Sequence, residues 1–430
     1  MLLDSLKNRF GSPWVPLVVT LYITYLATAL TYPSVEKPVA GLLLLVGWIG
    51  LYRFKTLSYE FKYSENYIIY SFALYSFVSI ISFLVAPKTR VGQMHLEDYG
   101  VFIMIIPLYV LLRQFRVNVH LLLVVFSVVL IGLGVQSYLS VVSRPSGGVN
   151  AMRFANVTLI MSLFLVVASI VIKYQVRWFK VVLLLSACFG LYACIMAQSR
   201  GALLSIPLLA IVCSVYFYRK RHLKSLSLSL VFCLVAMVFI SQQPRVHKTF
   251  DSVERYFEGD SRSAIGARLD MFKAAFILIE EKPIFGYGLG SYASNASKIR
   301  DNTPGMNYEV GLWHNPHNEI LLVMVEKGFI GLLTLIFLFW APAHFFVGAL
   351  KRCNGVENNG VIVFYSFSGL TLLLVYAVAG QSVALFHHDV FNHFFVLMII
   401  LFASQIRSHE HYSGLDKTPI KGVAACEGEG

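Results

Sequence analysis

The chain has 430 residues, of which 57% are apolar and only 13% charged, and its mean hydropathy is +0.68. Such values exclude an ordinary soluble domain and describe an all-α polytopic membrane protein. A formal net charge of +12 marks a nucleic-acid binder only where it clusters on one face. Here the cations follow the loops, and no nucleic-acid partner is expected.

Apolar runs long enough to cross about 30 Å of hydrocarbon as helices recur along the chain, about twelve in all. Their expected spans are 14–32, 38–53, 66–87, 99–112, 119–142, 154–172, 178–197, 201–218, 223–240, 319–346, 361–382 and 391–406. The first run is long and lacks a small-residue cleavage site, so it reads as a start-transfer anchor. The fourth is short and contains Pro107, which predicts a broken or re-entrant segment.

Lysines and arginines of the short loops fall mainly on one side: Lys7, Arg9, Arg53, Lys55, Lys62, Arg113, Arg116, Lys173, Lys180, Arg219 to Arg221, Lys224, Lys351, Arg352 and Arg407. That side is expected to be cytoplasmic, with both termini. The opposite side holds the one large loop, 241–317, which is periplasmic if the cell is Gram-negative. Residues 1–407 form the membrane domain, and the polar 408–430 read as a disordered cytoplasmic tail. Cys188, Cys194, Cys213 and Cys233 fall in predicted helices and Cys353 and Cys426 on the cytoplasmic side, so no structural disulfide is expected. No repeat suggests a transporter's inverted halves.

Near the middle of the chain, Arg200 follows Gln198-Ser199 and precedes Gly201 at an outward turn almost without a loop. It is either a functional cation or one that snorkels to headgroups. Within the large loop, Leu269, Phe272, Ala275, Phe276 and Ile279 repeat at helical spacing and predict an amphipathic helix over 263–281. Arg268 falls in its first turn or two, where the helix dipole already attracts anions. Pro283 to Gly290 (PIFGYGLG) is a glycine-spaced turn. It lacks the GKS/T of a phosphate loop, and close backbone packing explains it better.

The loop ends in His314-Asn315-Pro316-His317-Asn318. Asn315 suits an N-cap and Pro316 the first helical position, which puts His317 in the first turn. Positive potential there and from a nearby arginine lowers its pKa, and a neutral imidazole accepts protons. The competing reading is an interfacial histidine bonded to a headgroup. His314 precedes the cap and is less fixed; Glu319 is placed to orient or re-protonate His317.

Glu326 and Lys327 either line an intramembrane polar cavity or stand above the lipid. The second reading is preferred, because Gly328 to Val347 alone spans the bilayer. His387-His388-Asp389 is not read as a metal site, since adjacent helical residues point in different directions, and no CxxC or HExxH pattern occurs. Arg200, Arg268 and His317 share one side of the membrane and offer two phosphate clamps and a base.

Three segments then combine: Ser199-Arg200-Gly201-Ala202-Leu203-Leu204; Arg268-Leu269 through Glu281 to Gly290; and His317-Asn318 followed nine residues later by Gly328 and then Gly331. In order and spacing they resemble the O-antigen ligase and Wzy-type polymerase superfamily over roughly 190–340. Counting nine from Asn315 reaches Val325, so His317 rather than His314 carries the likeness. Leu332 departs from the Thr or Ser that O-antigen ligases often have after the second glycine.

The resemblance implies a GT-C-type glycosyltransferase of the bacterial inner membrane, acting in lipopolysaccharide biosynthesis on its periplasmic side. The donor would be a glycan on polyprenyl (undecaprenyl) pyrophosphate, and the acceptor a sugar hydroxyl of the lipid A-core. His317 would be the base of an inverting single displacement while Arg200 and Arg268 hold the pyrophosphate. Lys88 and Arg153 would be further outward cations for acidic donor or core phosphates, and no metal or cofactor is implied. A polymerase or protein O-oligosaccharyltransferase of the same superfamily is the alternative. A lipid-linked glycan transporter is the third reading, although its polar residues should lie near the bilayer midplane.

Overall fold

The computed structural model describes residues 14–53, 63–140, 145–174, 176–199, 201–202, 205–207, 244–353 and 359–412, and among them the regular structure is entirely helical. Helices α1 (Trp14–Thr28), α2 (Pro33–Arg53), α3 (Tyr63–Val85), α4 (Arg90–Met104), α5 (Ile106–Leu112), α6 (Val119–Leu139), α7 (Ala151–Val171) and α8 (Arg177–Met196) come first. Three loop helices follow: α9 (Pro244–Phe257), α10 (Ala264–Glu281) and α11 (Tyr292–Asp301). Then come α12 (Glu319–Arg352), α13 (Gly360–Ala379) and α14 (Asp389–Tyr412). Among the described residues nine helical segments are long and apolar enough to cross a membrane, and the chain is a multi-pass membrane protein. Apart from 201–202 and 205–207, the spans expected at 201–218 and 223–240 lie outside the described residues, as do Cys213, Cys233 and Cys426. Cys188, Cys194 and Cys353 are free thiols.

Asparagine and threonine side chains set several helix starts by taking first-turn N–H groups that have no intrahelical partner. Asn118 accepts from the N–H of His120 at 2.9 Å, Asn150 from that of Met152 at 2.9 Å, and Thr89 from that of Gly92 at 3.0 Å. The Thr89 cap starts the fourth span at Arg90 rather than near 99. Its expected break is present, because the helix is interrupted at Ile105 and resumes as α5 with Pro107 at its start. Together α4 and α5 make one 23-residue span, Arg90–Leu112.

The last helix is the hub: 89% of its apolar stretch is buried inside the protein, and it packs against α2, α4, α5, α7, α12 and α13. Contacts at the helix ends sort the bundle into two poles. At one, Arg407 meets Glu65 at 3.2 Å and Glu410 at 2.6 Å, Arg352 meets Glu410 at 2.8 Å, and Arg113 meets Glu65 at 3.3 Å. This buried network carries α14 to Tyr412, past the boundary expected at 407; residues 413–430 lie outside the described set. At the other pole, Gly148 donates to Leu30, Lys37 pairs with Asp389 at 2.6 Å, and the α13–α14 turn meets the start of α12. The loop helices join this second pole.

Within α10 the buried face is Ala267, Met271, Ala274, Ala275 and Leu278, while Phe276 is exposed. The helix is therefore rotated relative to the stripe read from its larger apolar residues. Small alanines let it approach α11 and α12, and a second hydrophobic cluster of Met271, Leu278, Tyr292, Leu321 and Leu322 holds the loop on the bundle.

Candidate active site

The axis of the site is α12, and its helix is broken. Gly328 has φ 63° and ψ −159°, a conformation essentially restricted to glycine, and a Cβ there would strike the backbone of Ile284. A break inside a membrane protein strands backbone groups that must be paired. The 283–290 turn pairs them. Phe329 N–H donates to Pro283 O at 2.8 Å and Ile330 N–H to Ile284 O at 3.3 Å, while Val325 O accepts from Tyr287 at 2.8 Å and Glu326 O from Gly288 at 2.9 Å. Ser82 adds a hydrogen bond to Glu326 O at 2.9 Å. Close backbone packing is thus the purpose of the glycine-spaced turn. Gly290, at φ 76°, lies where a Cβ would meet the Gly92 backbone at 2.6 Å or less.

The N-terminus of α12 differs from the expected one. Asn318, not Asn315, is its N-cap, accepting from Leu321 N–H at 3.1 Å, and Glu319 N–H donates to Gly380 O at 2.8 Å. His317 therefore precedes the helix, with φ 57°. Asn315 instead accepts from His317 N–H at 3.0 Å, a local Asx turn that presents the imidazole. Trp313 flanks it, the ring centroids 6.0 Å apart.

Arg268 acts electrostatically on His317. Partial burial, then the Arg268 charge, lowers the imidazole pKa to about 4, with Glu309 opposing. The ring is neutral at neutral pH, as expected, but from burial and an arginine rather than from a position inside the helix. Among the described residues no hydrogen bond to its ring nitrogens and no ion pair to Arg268 is present. Burial also lowers the Arg268 pKa. Arg268 sits in the second turn of α10, whose N-cap Ser263 accepts from Gly266 N–H at 3.0 Å.

The α13–α14 turn closes the other side. His388 Nδ1 and Arg153 Nη2 are 2.9 Å apart, and burial followed by Arg153 lowers the His388 pKa to about 3; His317 also acts on it electrostatically. Asn318 reaches Gln381 O at 3.4 Å, and a Cβ at Gly201 would meet Ser382 Oγ at 2.5 Å. Arg200 itself lies outside the described residues.

Other expected site residues have different surroundings. Glu319 turns inward, to Tyr75 Oη at 3.5 Å and Phe386 N–H at 3.3 Å, rather than to His317. Lys88 donates to Phe83 O at 2.9 Å and Leu84 O at 3.3 Å, closing the C-terminus of α3. His314 is exposed and acts electrostatically on His95 and His387.

Glu326 and Lys327 are sealed within protein, 0% and 2% exposed. Lys327 donates to Ser79 Oγ at 3.1 Å and lies 3.6 Å from the Tyr99 ring centroid. Glu326 stands with His95 and His387, a group able to hold a metal ion. The sequence signal for this group was a histidine pair and an acid–base pair interrupting apolar segments; His95 lay in a helix not expected to begin so early.

Below Asn318 a cavity of about 680 Å³ opens between α12 and α13, lined by Ile320, Leu335, Phe339, Leu374 and Tyr376, with Glu319, Gly380 and Gln381 also lining it.

Residues 184–336 match the model of the family described as O-Antigen ligase. An uncharacterized protein of Haemophilus influenzae is 23% identical over 333 residues, covering 72% of this chain and 80% of that protein. A protein named O-antigen ligase from Salmonella typhimurium is 24% identical over 331 residues, 72% of this chain and 78% of that one. Another O-antigen ligase, from Escherichia coli, is 24% identical over 200 residues, 44% and 46% of the two chains. The matched stretch contains Arg200, Arg268, His317 and Gly328.

Proposed function

We propose that this chain, a member of the O-antigen ligase superfamily, is a glycosyltransferase that moves a glycan from a polyprenyl pyrophosphate, undecaprenyl pyrophosphate in a bacterial inner membrane, to a sugar hydroxyl of the lipid A-core. The observation that carries the reading is the neutral imidazole of His317 in the field of Arg268, an arginine with no ion-pair partner among the described residues. His317 takes the acceptor proton as the acceptor oxygen bonds to the donor's anomeric carbon. The bond from that carbon to the pyrophosphate oxygen breaks on the opposite face, which inverts the centre. Charge leaves with the pyrophosphate, and a positioned guanidinium stabilises it more in the transition state than in the ground state.

Arg268 is the pyrophosphate clamp, and Arg200 is assigned the same role from sequence. Arg153 supports it, and its neighbour His388 borders the acceptor side. The apolar cavity beside α12 suits an isoprenoid tail, with its polar rim next to the Asn318 cap. Both termini are cytoplasmic and the site periplasmic, following the cation bias of the short loops. The chemistry needs neither metal nor nucleotide.

The test is a reconstituted reaction of the purified protein with polyprenyl-pyrophosphate glycan and lipid A-core, the products resolved on a gel. Glycan on lipid A-core is the expected result. Longer glycan still on the carrier would make the protein a polymerase, and the absence of covalent product would remove the enzyme reading.

A further inference from the structure

Away from His317, three buried side chains from separate elements converge: His95 of α4, Glu326 of α12 and His387 of the α13–α14 turn. Their side chains are 8%, 0% and 2% exposed. His95 Nδ1 lies 3.9 Å from Glu326 Oε1, His387 Nε2 lies 4.0 Å from Glu326 Oε2, and the imidazole centroids are 3.6 Å apart with the rings at 89°. One candidate ligand atom from each residue falls within 4.8 Å of the others.

The cluster is incompletely satisfied from within the protein. Glu326 Oε1 accepts from Gly290 N–H at 2.9 Å, and His387 Nε2 lies 3.0 Å from Tyr99 Oη. Yet His95 Nδ1, Glu326 Oε2 and His387 Nδ1 have no hydrogen-bond partner. A buried polar group left unmatched is costly, and three on neighbouring residues point to a missing common partner. Two imidazoles and a carboxylate are a zinc donor set; magnesium and calcium prefer all-oxygen shells. Tyr99 and Gly290 supply the outer hydrogen bonds that orient ligands in such sites.

Lys327 is the main objection, since its charge faces the same cluster. Its ammonium, however, is held by Ser79 Oγ at 3.1 Å and by the faces of Tyr99 and Tyr75 at 3.6 and 4.3 Å. Glu319 and Glu326 both act on it electrostatically. A second carboxylate therefore remains to offset the lysine when Glu326 turns to an ion.

We propose that His95, Glu326 and His387 bind one zinc ion, a structural staple tying α4, the break in α12 and the α13–α14 turn. The ion takes no part in glycan transfer. Its role is to fix the turn on which His388, next to His387, faces Arg153 and His317. Drawing the ligands onto zinc requires side-chain rotations that bring donor atoms to roughly 3.3 Å from one another, the spacing set by zinc–nitrogen bonds of about 2.0–2.1 Å in a tetrahedron.

The test is the metal content of the full chain, purified in detergent without a polyhistidine tag and incubated with zinc before desalting. About one zinc per chain is expected, with at least a tenfold loss in His95→Gln and in Glu326→Gln at unchanged helicity. Cobalt titrated into the wild-type chain should give the visible bands of a tetrahedral site and be displaced by zinc, a readout that requires no variant to fold. A wild-type chain without zinc or cobalt bands would overturn the proposal and leave a buried water as the common partner. Unchanged zinc in His95→Gln would overturn it too.

Discussion

The carboxylate of Glu326 accepts the backbone N–H of Gly290 at 2.9 Å, so a side chain of the broken helix and the glycine-spaced turn of the outer loop are fastened together. The backbone bonds on either side of Gly328 extend that connection. The loop helix bearing Arg268 and the helix entrance bearing His317 are in this way joined to one buried seam.

Gly328→Ala should be among the most damaging small substitutions. Strain at a glycine-only conformation costs of the order of 1–3 kcal/mol, and the added Cβ meets the Ile284 backbone. Lower folded yield and a lower unfolding temperature in detergent are expected. A melting curve unchanged from wild type would contradict the account of the seam.

His317→Ala should lower the transfer rate by about 10²–10⁴, the usual worth of a general base, with insertion and helicity unaffected. Circular dichroism and the reconstituted assay read the two separately. Full activity in this variant would remove the base assignment.

The pH profile follows from the His317 environment. With its pKa near 4, the imidazole remains an acceptor down to weakly acid pH. The acid limb of kcat/KM therefore belongs near pH 4 rather than near the 6.5 of a free histidine. Removing the Arg268 charge favours the protonated ring, so the residual activity of Arg268→Gln should show a limb moved to higher pH. Partial movement is expected, because burial is the larger cause. A limb unmoved in the variant would mean that the arginine does not act on the histidine.

Lys88→Ala and Arg153→Ala should differ. The Lys88 ammonium is occupied by the carbonyls of Phe83 and Leu84, and its exposed setting makes an effect within about twofold the expectation. Arg153 holds His388 at 2.9 Å, and its loss should lower activity about tenfold or more, by analogy with the loss of an outer-shell partner. Equal effects in the two variants would show that this pole is read as bulk charge.

Much of the architecture was legible because crossing lipid leaves few options. A run of about 20 apolar residues must be a helix that satisfies its own backbone, and the helix expected from 119 starts there, capped by Asn118. The break near Pro107 and the loop helix over 264–281 are local in the same sense. Arg268, chosen by helix grammar and family resemblance, acts electrostatically on His317, chosen in the same way.

What tertiary structure decided are the facts that depend on a distant partner. Asn315 had the better local pattern for a cap, but Gly380 O takes the N–H of Glu319, and that contact starts α12 at Asn318 and leaves His317 before the helix. Glu319 turned to Tyr75 and Phe386, and Phe276 turned outward, because neighbours 67 or more residues away for Glu319, and the small face of α10, supplied better packing. His387 and His388 diverge as adjacent residues should, yet only the fold shows where each goes: one to His95 and Glu326, the other to Arg153. Hydropathy and caps act within a turn or two of chain, whereas a site is assembled by contacts whose sequence separation no local pattern encodes.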